Sequence, residues 1–386
     1  MATYDRAFIA GVFEHPTRKA ADKSLGQLHA EVAMGALADA GLTLDDVDAY
    51  FVAGDNTNLY PLSFVDYLGL KLKVIGATDT GGSAYITHVG QAVEAIAAGR
   101  CKVALITLAG RPRTGGAAAN PAPDWQLPDV PFEVPYGREV INAYAMCAMR
   151  HFYEYGTTSE QLAWIKVAAS HHAQHNPNAM LRNLVTVEEV LASPMISDPL
   201  HRLDCCVVSD GGGAIVVVAP EIAKTLNRPM IRIRGIGDAV KHQAGGDIDL
   251  TYTATRWSAA DAYAQAGIGP GDLKYASIYD SFTITVLEQL EDLGFCAKGE
   301  GGRFVSDGNL ISGVGKLPVN TDGGGLCNNH PANRGGMTKV IEAVRQLRGE
   351  AHPAVQVPNC DLAVANATGG WLGTRHAAST IILERL

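Results

Sequence analysis

No cysteine occurs in the first hundred residues of this chain, and none of its seven cysteines, Cys101, Cys147, Cys205, Cys206, Cys296, Cys327 and Cys360, forms a C-x-x-C pair. An odd, scattered set predicts reduced side chains, with neither disulfides nor a bound metal. No apolar run reaches the roughly 18–20 residues that cross a bilayer. The stretch from Met1 to Phe13 lacks a basic region followed by an apolar core. Neither a membrane segment nor a secretory signal is therefore expected, and the expected location is cytoplasmic. Basic runs are missing too. With 31 basic and 40 acidic residues the formal net charge is −9, so nucleic acid and anionic membrane surfaces are poor partners. Aromatics are scarce, at 7%. What is plentiful is small or apolar: 47% of the 386 residues are hydrophobic and 42 are glycine. That composition suits helices packed tightly on a sheet, at a length sufficient for two or three domains.

The chain repeats itself. Residues 36–55 (ALADAGLTLDDVDAYFVAGD) align at an offset of 226 with residues 262–281 (AYAQAGIGPGDLKYASIYDS). Each reads as a helix end, a glycine stop, a short acidic turn and an apolar strand. A strand with a late glycine precedes each helix, Ala7–Val12 in one copy and Ile231–Ile236 in the other. Later, Cys101–Leu105 resembles Cys360–Val364, each after a helix that stops at a glycine, Gly99 or Gly349. Two copies of an alternating β/α unit favour sheet covered by helices on both faces. Between the copies, residues 111–200 open with a loop rich in Gly, Pro and Ala and continue with helices over roughly 138–155 and 158–174. So long an excursion reads as an insertion shaping a substrate cleft. Asp204, Cys205 and Cys206 read as part of an apolar strand, and Gly211-Gly212-Gly213 as close packing at a strand start.

Residues 150–218, above all DPLHRLDCCVVSDGGGA at 198–214, resemble the thiolase superfamily. The resemblance is to its sterol carrier protein x-type, or lipid-transfer-protein, branch, including cysteine-less members like the steroid side-chain aldolases. It extends over essentially the whole chain. It implies an α/β thiolase fold: two similar βαβαβαββ halves in a five-layered αβαβα core with an inserted loop domain. The N-terminal half would be 1–110 and 201–225, the loop domain 111–200, and the C-terminal half 226–386.

Four short motifs surround the thioester in that family. The first carries a nucleophilic cysteine at a helix start, where the helix dipole and free N–H groups favour a thiolate. Here the run is Asp79-Thr80-Gly81-Gly82-Ser83-Ala84-Tyr85, and Gly82 takes the cysteine position. Ser83, one residue on, is an alternative nucleophile. The second motif binds the thioester oxygen. It reads Tyr279-Asp280-Ser281-Phe282, and a phenol can donate a hydrogen bond or carry a proton; Asp280 reads as backbone support. In the third, Asn329-His330-Pro331 follows Gly323-Gly324-Gly325 and keeps the family's histidine, free to act on a hydroxyl or a carbon acid. The fourth normally supplies a second cysteine. It reads Asn366-Ala367-Thr368-Gly369-Gly370-Trp371, with Asn366 in the cysteine's place and Gly369 and Gly370 offering backbone donors to an oxyanion.

A Claisen thiolase needs the thiolate and the second cysteine. Lacking both, the site fits retro-aldol cleavage of a β-hydroxyacyl-CoA to a ketone or aldehyde and a shorter acyl-CoA. Tyr279 and His330 are the candidate catalytic pair, and Gly82, Ser83, Asp280, Asn329, Asn366, Gly369 and Gly370 the candidate substrate contacts. Three readings stay open beside it: an acyltransferase, a non-catalytic acyl-CoA-binding subunit, and a ketoacyl-synthase-like condensing enzyme. Coenzyme A would enter as part of the substrate, with no covalently bound cofactor. The resemblance further implies a homodimer and a small OB-fold protein with a zinc ribbon, together a heterotetramer, any zinc belonging to the partner. Trp125, Phe132 and Tyr136, in the loop Pro121–Tyr136, are expected to line the acyl side or to anchor the loop.

Overall fold

A computed structural model describes residues 7–53, 61–115, 125–128, 130–137, 139–241, 248–331 and 335–386. The first half runs β1 (Phe8–Glu14), α1 (Leu25–Ala40), β2 (Ala49–Val52), α2 (Leu62–Leu68), β3 (Val74–Gly76), α3 (Ala84–Ala97) and β4 (Val103–Gly110). The chain then leaves the sheet for α4 (Val130–Glu133), α5 (Val140–Tyr155), α6 (Ser159–Ala173), α7 (Val187–Leu191) and a small hairpin of β5 (Met195–Ser197) and β6 (Leu200–His201). It returns in β7 (Gly211–Val218) and passes through α8 (Pro220–Ala223). The second half follows: β8 (Ile231–Lys241), α9 (Thr255–Ala266), β9 (Tyr275–Ile278), α10 (Thr283–Asp292), α11 (Gly301–Val305), α12 (Gly324–Cys327), α13 (Gly336–Arg348), β10 (Leu362–Gly370) and β11 (His376–Arg385).

The repeat in the sequence is a repeat in space. Strand order across the sheet is β3-β2-β4-β7-β1-β8-β11-β10-β9. Outwards from the β1–β8 seam it reads first, last, last but one, second on both sides, with β3 added at the outer edge of the first half. The seam is thin, with Phe8 opposite Arg232 and Ile9 opposite Ile231. Val319 forms a parallel bridge to Ala276 at the place that corresponds to β3. The shared Ala and Gly positions have a packing cause. α1 crosses β1 so closely that a Cβ on Gly11 would lie 2.1 Å from the Ala36 carbonyl oxygen. In the second half a Cβ on Gly235 would lie 2.2 Å from the Ala262 carbonyl oxygen. Both helices stop at a left-handed glycine, Gly41 at φ 74° and Gly267 at φ 65°, a conformation that an L side chain disfavours.

The five layers follow from which faces are apolar. α3 and α13 lie between the half-sheets and share one core with the inward side chains of both. α1 covers the outer face of the first half-sheet, and α9 and α10, with α5 and α6 against them, cover that of the second. α13 is buried at every residue except Arg345, as a central helix must be. Its polar groups therefore need partners: Arg348 donates to Asp39 Oδ2 at 2.9 Å and to the Ala10 carbonyl at 2.8 Å, tying the second half to the first. The chain is thus an α/β protein of αβαβα layering.

Some expectations need correction. Arg202–Asp204 is a 3-10 turn, and Cys205 makes only an isolated bridge with Phe282, so this stretch is not a strand. Its apolar look comes from packing under the second half rather than from a ladder. Gly212 does provide close packing, since a Cβ there would lie 2.0 Å from the Leu108 carbonyl oxygen. Trp125, Phe132 and Tyr136 are exposed on the surface of the described chain, whereas Pro121–Asp124 lie outside the described residues. Among the described residues no helix is long and apolar enough to cross a membrane.

Candidate active site

Tyr279 and His330 meet. The Tyr279 hydroxyl lies 2.8 Å from His330 Nε2, and the rings are 5.5 Å apart between centroids. They are 4% and 3% exposed, so the pair is closed off from bulk water. Tyr279 follows β9 directly. Its backbone N–H donates to the Asn366 carbonyl at 2.9 Å, and Gln289 Nε2 donates to its carbonyl at 2.7 Å. His330 is held from the other side, its N–H donating to Ser209 Oγ at 2.9 Å.

The 198–214 motif explains itself here. Cys206 N–H donates to the Ser281 carbonyl and Val207 N–H to the Gly325 carbonyl, each at 2.9 Å. Ser209, two residues on, supplies the hydroxyl under His330. One extended segment thus aligns the tyrosine loop and the histidine loop.

Gly82 stands against the tyrosine. A Cβ at this position would lie 2.4 Å from the Thr368 carbonyl oxygen and 2.9 Å from Tyr279 Cζ. The phenol ring therefore fills the space into which a side chain at residue 82 would project. The crowding extends around the ring: a Cβ on Gly335 would lie 2.6 Å from Tyr279 Cε2, and one on Gly369 would meet the Thr80 carbonyl. α3, through its preceding 3-10 turn, and α13 thus both begin beside Tyr279. Two helix N-termini, with their partial positive charge, converge on this point.

Electrostatics keep the pair neutral. Burial pushes the Tyr279 phenol well above its usual range, with Tyr144, Cys206 and Asp280 adding to the effect. Burial, then the Lys339 charge, holds His330 down at about 4. At neutral pH a phenol hydroxyl thus faces an unprotonated imidazole, which is a proton donor and acceptor already in contact.

The other expected residues divide. Asp280 supports the backbone: its carboxylate accepts from Gly325 N–H at 2.8 Å and Leu326 N–H at 3.1 Å, and pairs with Lys339 Nζ at 2.7 Å. Ser83 is not brought to the histidine. Its buried hydroxyl donates to the Thr80 carbonyl at 2.9 Å, inside its own turn. Asn329 turns away and donates to Glu14 Oε1. Asn366 points to the opposite face of the sheet, where Thr255, Ser379 and Thr380 occupy its amide. Strand side chains alternate, so the side chain that β10 turns toward α3 and α13 at this point is Ala367. Gly369 and Gly370 do lie beside Gly81 and Gly82. The sequence reading missed Tyr144, whose hydroxyl donates to the Gly370 carbonyl at 3.2 Å and whose ring packs at a tilt against Phe282, with centroids 4.4 Å apart. It also passed over Glu14, which holds both Asn328 and Asn329. These residues come from distant elements and carry no local signature. All seven cysteines are free, and among the described residues no cluster of three or more His, Cys, Asp or Glu could hold a metal ion.

Comparison with known proteins agrees with this layout. Residues 237–385 match the thiolase C-terminal domain-like family. The chain is 33% identical over 383 residues to an acetyl-CoA acetyltransferase of Methanothermobacter thermautotrophicus, covering 95% of this chain and 97% of the relative. It is 36% identical over 370 residues to a steroid side-chain-cleaving aldolase of Thermomonospora curvata, covering 89% and 90% respectively. The solved Ltp2-ChsH2(DUF35) aldolase superposes with a TM-score of 0.88 at 34% identity, over 99% of this chain and 98% of that one. With this coverage, the repeated half and the five layers, the chain belongs to the thiolase superfamily, in its sterol carrier protein-like branch.

Proposed function

We propose that the chain is a carbon–carbon lyase that cleaves a β-hydroxyacyl-CoA by a retro-aldol reaction, without an acyl-enzyme. The observation that carries this reading is the Tyr279 ring lying where a side chain at residue 82 would stand, with its hydroxyl 2.8 Å from His330. A nucleophilic thiol at residue 82 and this tyrosine exclude each other. The relative named as an acetyltransferase therefore does not bring its chemistry to this site, whereas the relatives named as aldolases support cleavage.

The steps use the pair as a unit. The β-hydroxyl of the substrate gives its proton to the Tyr279 oxygen as the phenol proton passes to His330 Nε2. The Cα–Cβ pair of electrons moves into the thioester, forming an enolate and releasing the ketone or aldehyde. Backbone N–H groups at Gly82 and at the Gly369–Gly370 turn, beside two helix N-termini, stabilise the enolate oxygen. The proton returns from His330 through Tyr279 to Cα, giving the shorter acyl-CoA and restoring the pair.

Residues 111–200 would form the loop domain over this site, between an N-terminal half of 1–110 and 201–225 and a C-terminal half of 226–386. A homodimer with a small OB-fold, zinc-ribbon partner is the proposed assembly, and the two-component Ltp2-ChsH2(DUF35) aldolase supports such a partner. Turnover of a β-hydroxyacyl-CoA by Tyr279→Phe and His330→Ala tests the roles. General acid–base groups contribute about 10²–10⁴-fold, so each variant should lose that much in kcat. Cleavage at the wild-type rate in both would refute the assignment.

A further inference from the structure

Beneath the pair lies a buried ion pair that the steps above do not use. Lys339 on α13 and Asp280 after β9 are 2.7 Å apart, each with a side chain 1% exposed. Such a pair is a weak source of stability, because desolvation offsets the attraction. Its position suggests another use. Asp280 Oδ1 also accepts from Gly325 N–H at 2.8 Å, and Gly325 is packed against the imidazole, a Cβ on it lying 3.3 Å from His330 Cδ2. Asp280 Oδ2 accepts from Leu326 N–H at 3.1 Å. α13, which carries Lys339, begins at Gly336, next to the glycine lying against the Tyr279 ring. The pair therefore links the three elements that present Tyr279 and His330.

We propose that Lys339 and Asp280 are positioning residues that set the proton content of the Tyr279–His330 couple, the ammonium opposing an imidazolium and the carboxylate opposing a phenolate. The two charges act on different partners. Lys339 is the charged group that lowers His330, after burial. Asp280 is among the groups that raise Tyr279, after burial, Tyr144 and Cys206. Tyr144 comes from α5, Cys206 from the segment before β7, and Lys339 from α13. Lys166, a fourth buried group, donates to the Leu326 carbonyl at 2.6 Å and stands behind the same turn. A couple kept neutral starts each cycle with an imidazole free to accept a proton, and an imidazolium that Lys339 opposes gives that proton back readily in the return transfer to Cα. This role rests on the lyase reading for its purpose, but not for its measurement.

The test is the titration of His330 in the intact, substrate-free protein, followed by NMR with 13C-labelled histidine and assigned by the signal missing from His330→Gln. In the wild type the imidazole should stay unprotonated down to about pH 5 or until the protein unfolds. In Lys339→Met its midpoint should rise by at least one pH unit. Lys339→Met combined with Asp280→Asn, which leaves no unpaired buried charge, should show a rise of the same sign. Asp280→Asn alone, which leaves the ammonium unopposed, should show no rise. An unchanged midpoint in whichever lysine variant folds overturns the proposal, as does a raised midpoint in Asp280→Asn. Because no substrate is present, failure here is distinct from failure of Tyr279→Phe and His330→Ala to abolish cleavage.

Discussion

Gly82→Ala is the smallest perturbation that probes the core of the site. Gly82 is not among the positive-φ glycines, so alanine meets no backbone penalty, and the whole effect is steric. The new Cβ would lie 2.4 Å from the Thr368 carbonyl oxygen, roughly 1 Å inside ordinary contact, and 2.9 Å from Tyr279 Cζ. The carbonyl belongs to a buried strand that is paired to β11 at this point, so the turn that carries residue 82 and the ring beside it must yield. Overpacking of this kind costs about 1–3 kcal/mol. A misplacement of about 1 Å in a reacting group can cost about 10²-fold in rate. Gly90→Ala is the control, on the central helix that follows this turn, where the nearest atom to a Cβ is Ile236 Cγ2 at 3.4 Å. There the change should be neutral, or stabilising by up to about 1 kcal/mol through helix propensity. Urea unfolding and turnover of a β-hydroxyacyl-CoA, measured side by side on both variants, give the comparison. If Gly82→Ala matches the wild type in stability and kcat, the ring does not fill the space beside residue 82, and the exclusion of a thiol has no basis.

Three further outcomes follow. His330, held at about 4 by burial and then Lys339, works as a base only when unprotonated. The acid limb of kcat/KM should therefore lie near its lowered value, not near the ordinary histidine value of about 6.5, and a limb at 6.5 would contradict the geometry. Tyr279→Phe and His330→Ala act on one unit, so the double variant should lose scarcely more activity than the worse single variant; additive losses would separate the two residues. Burial raises the Glu14 carboxyl, but Arg345 and Arg18 outweigh it and bring the group to about 2. Its stabilisation is therefore complete above the ordinary carboxyl value of 4.5 and is lost as pH falls toward 2. Glu14→Gln should lose about 3 kcal/mol at neutral pH and converge on the wild type in acid, as read by urea midpoints; a gap that widens in acid would reverse the sign.

Much of the fold was legible because it is local and duplicated. The offset of 226 carries Gly41 onto Gly267 and Ala49–Val52 onto Tyr275–Ile278, since one packing problem is solved twice by the same helix, turn and strand. Tyr279 and His330 were legible from their motifs. Other parts depend on facts that no window of sequence holds. Asn366 was assigned to the site because it aligns with a cysteine, but one step along a strand reverses the face, and Ala367 is the inward residue. Ser83 is adjacent to the right position, yet the 3-10 turn before α3 folds its hydroxyl back on Thr80. Tyr144, Lys339 and Glu14 reach the site from α5, α13 and β1, and only tertiary packing brings them there.

The claim that no acyl-enzyme forms is tested most directly by intact-mass spectrometry of the protein, together with its partner, during turnover of a β-hydroxyacyl-CoA. The account predicts a protein mass unchanged throughout, while the carbonyl product and the shortened acyl-CoA appear in equal amounts. A transient adduct with the mass of an acyl group on this chain would contradict it.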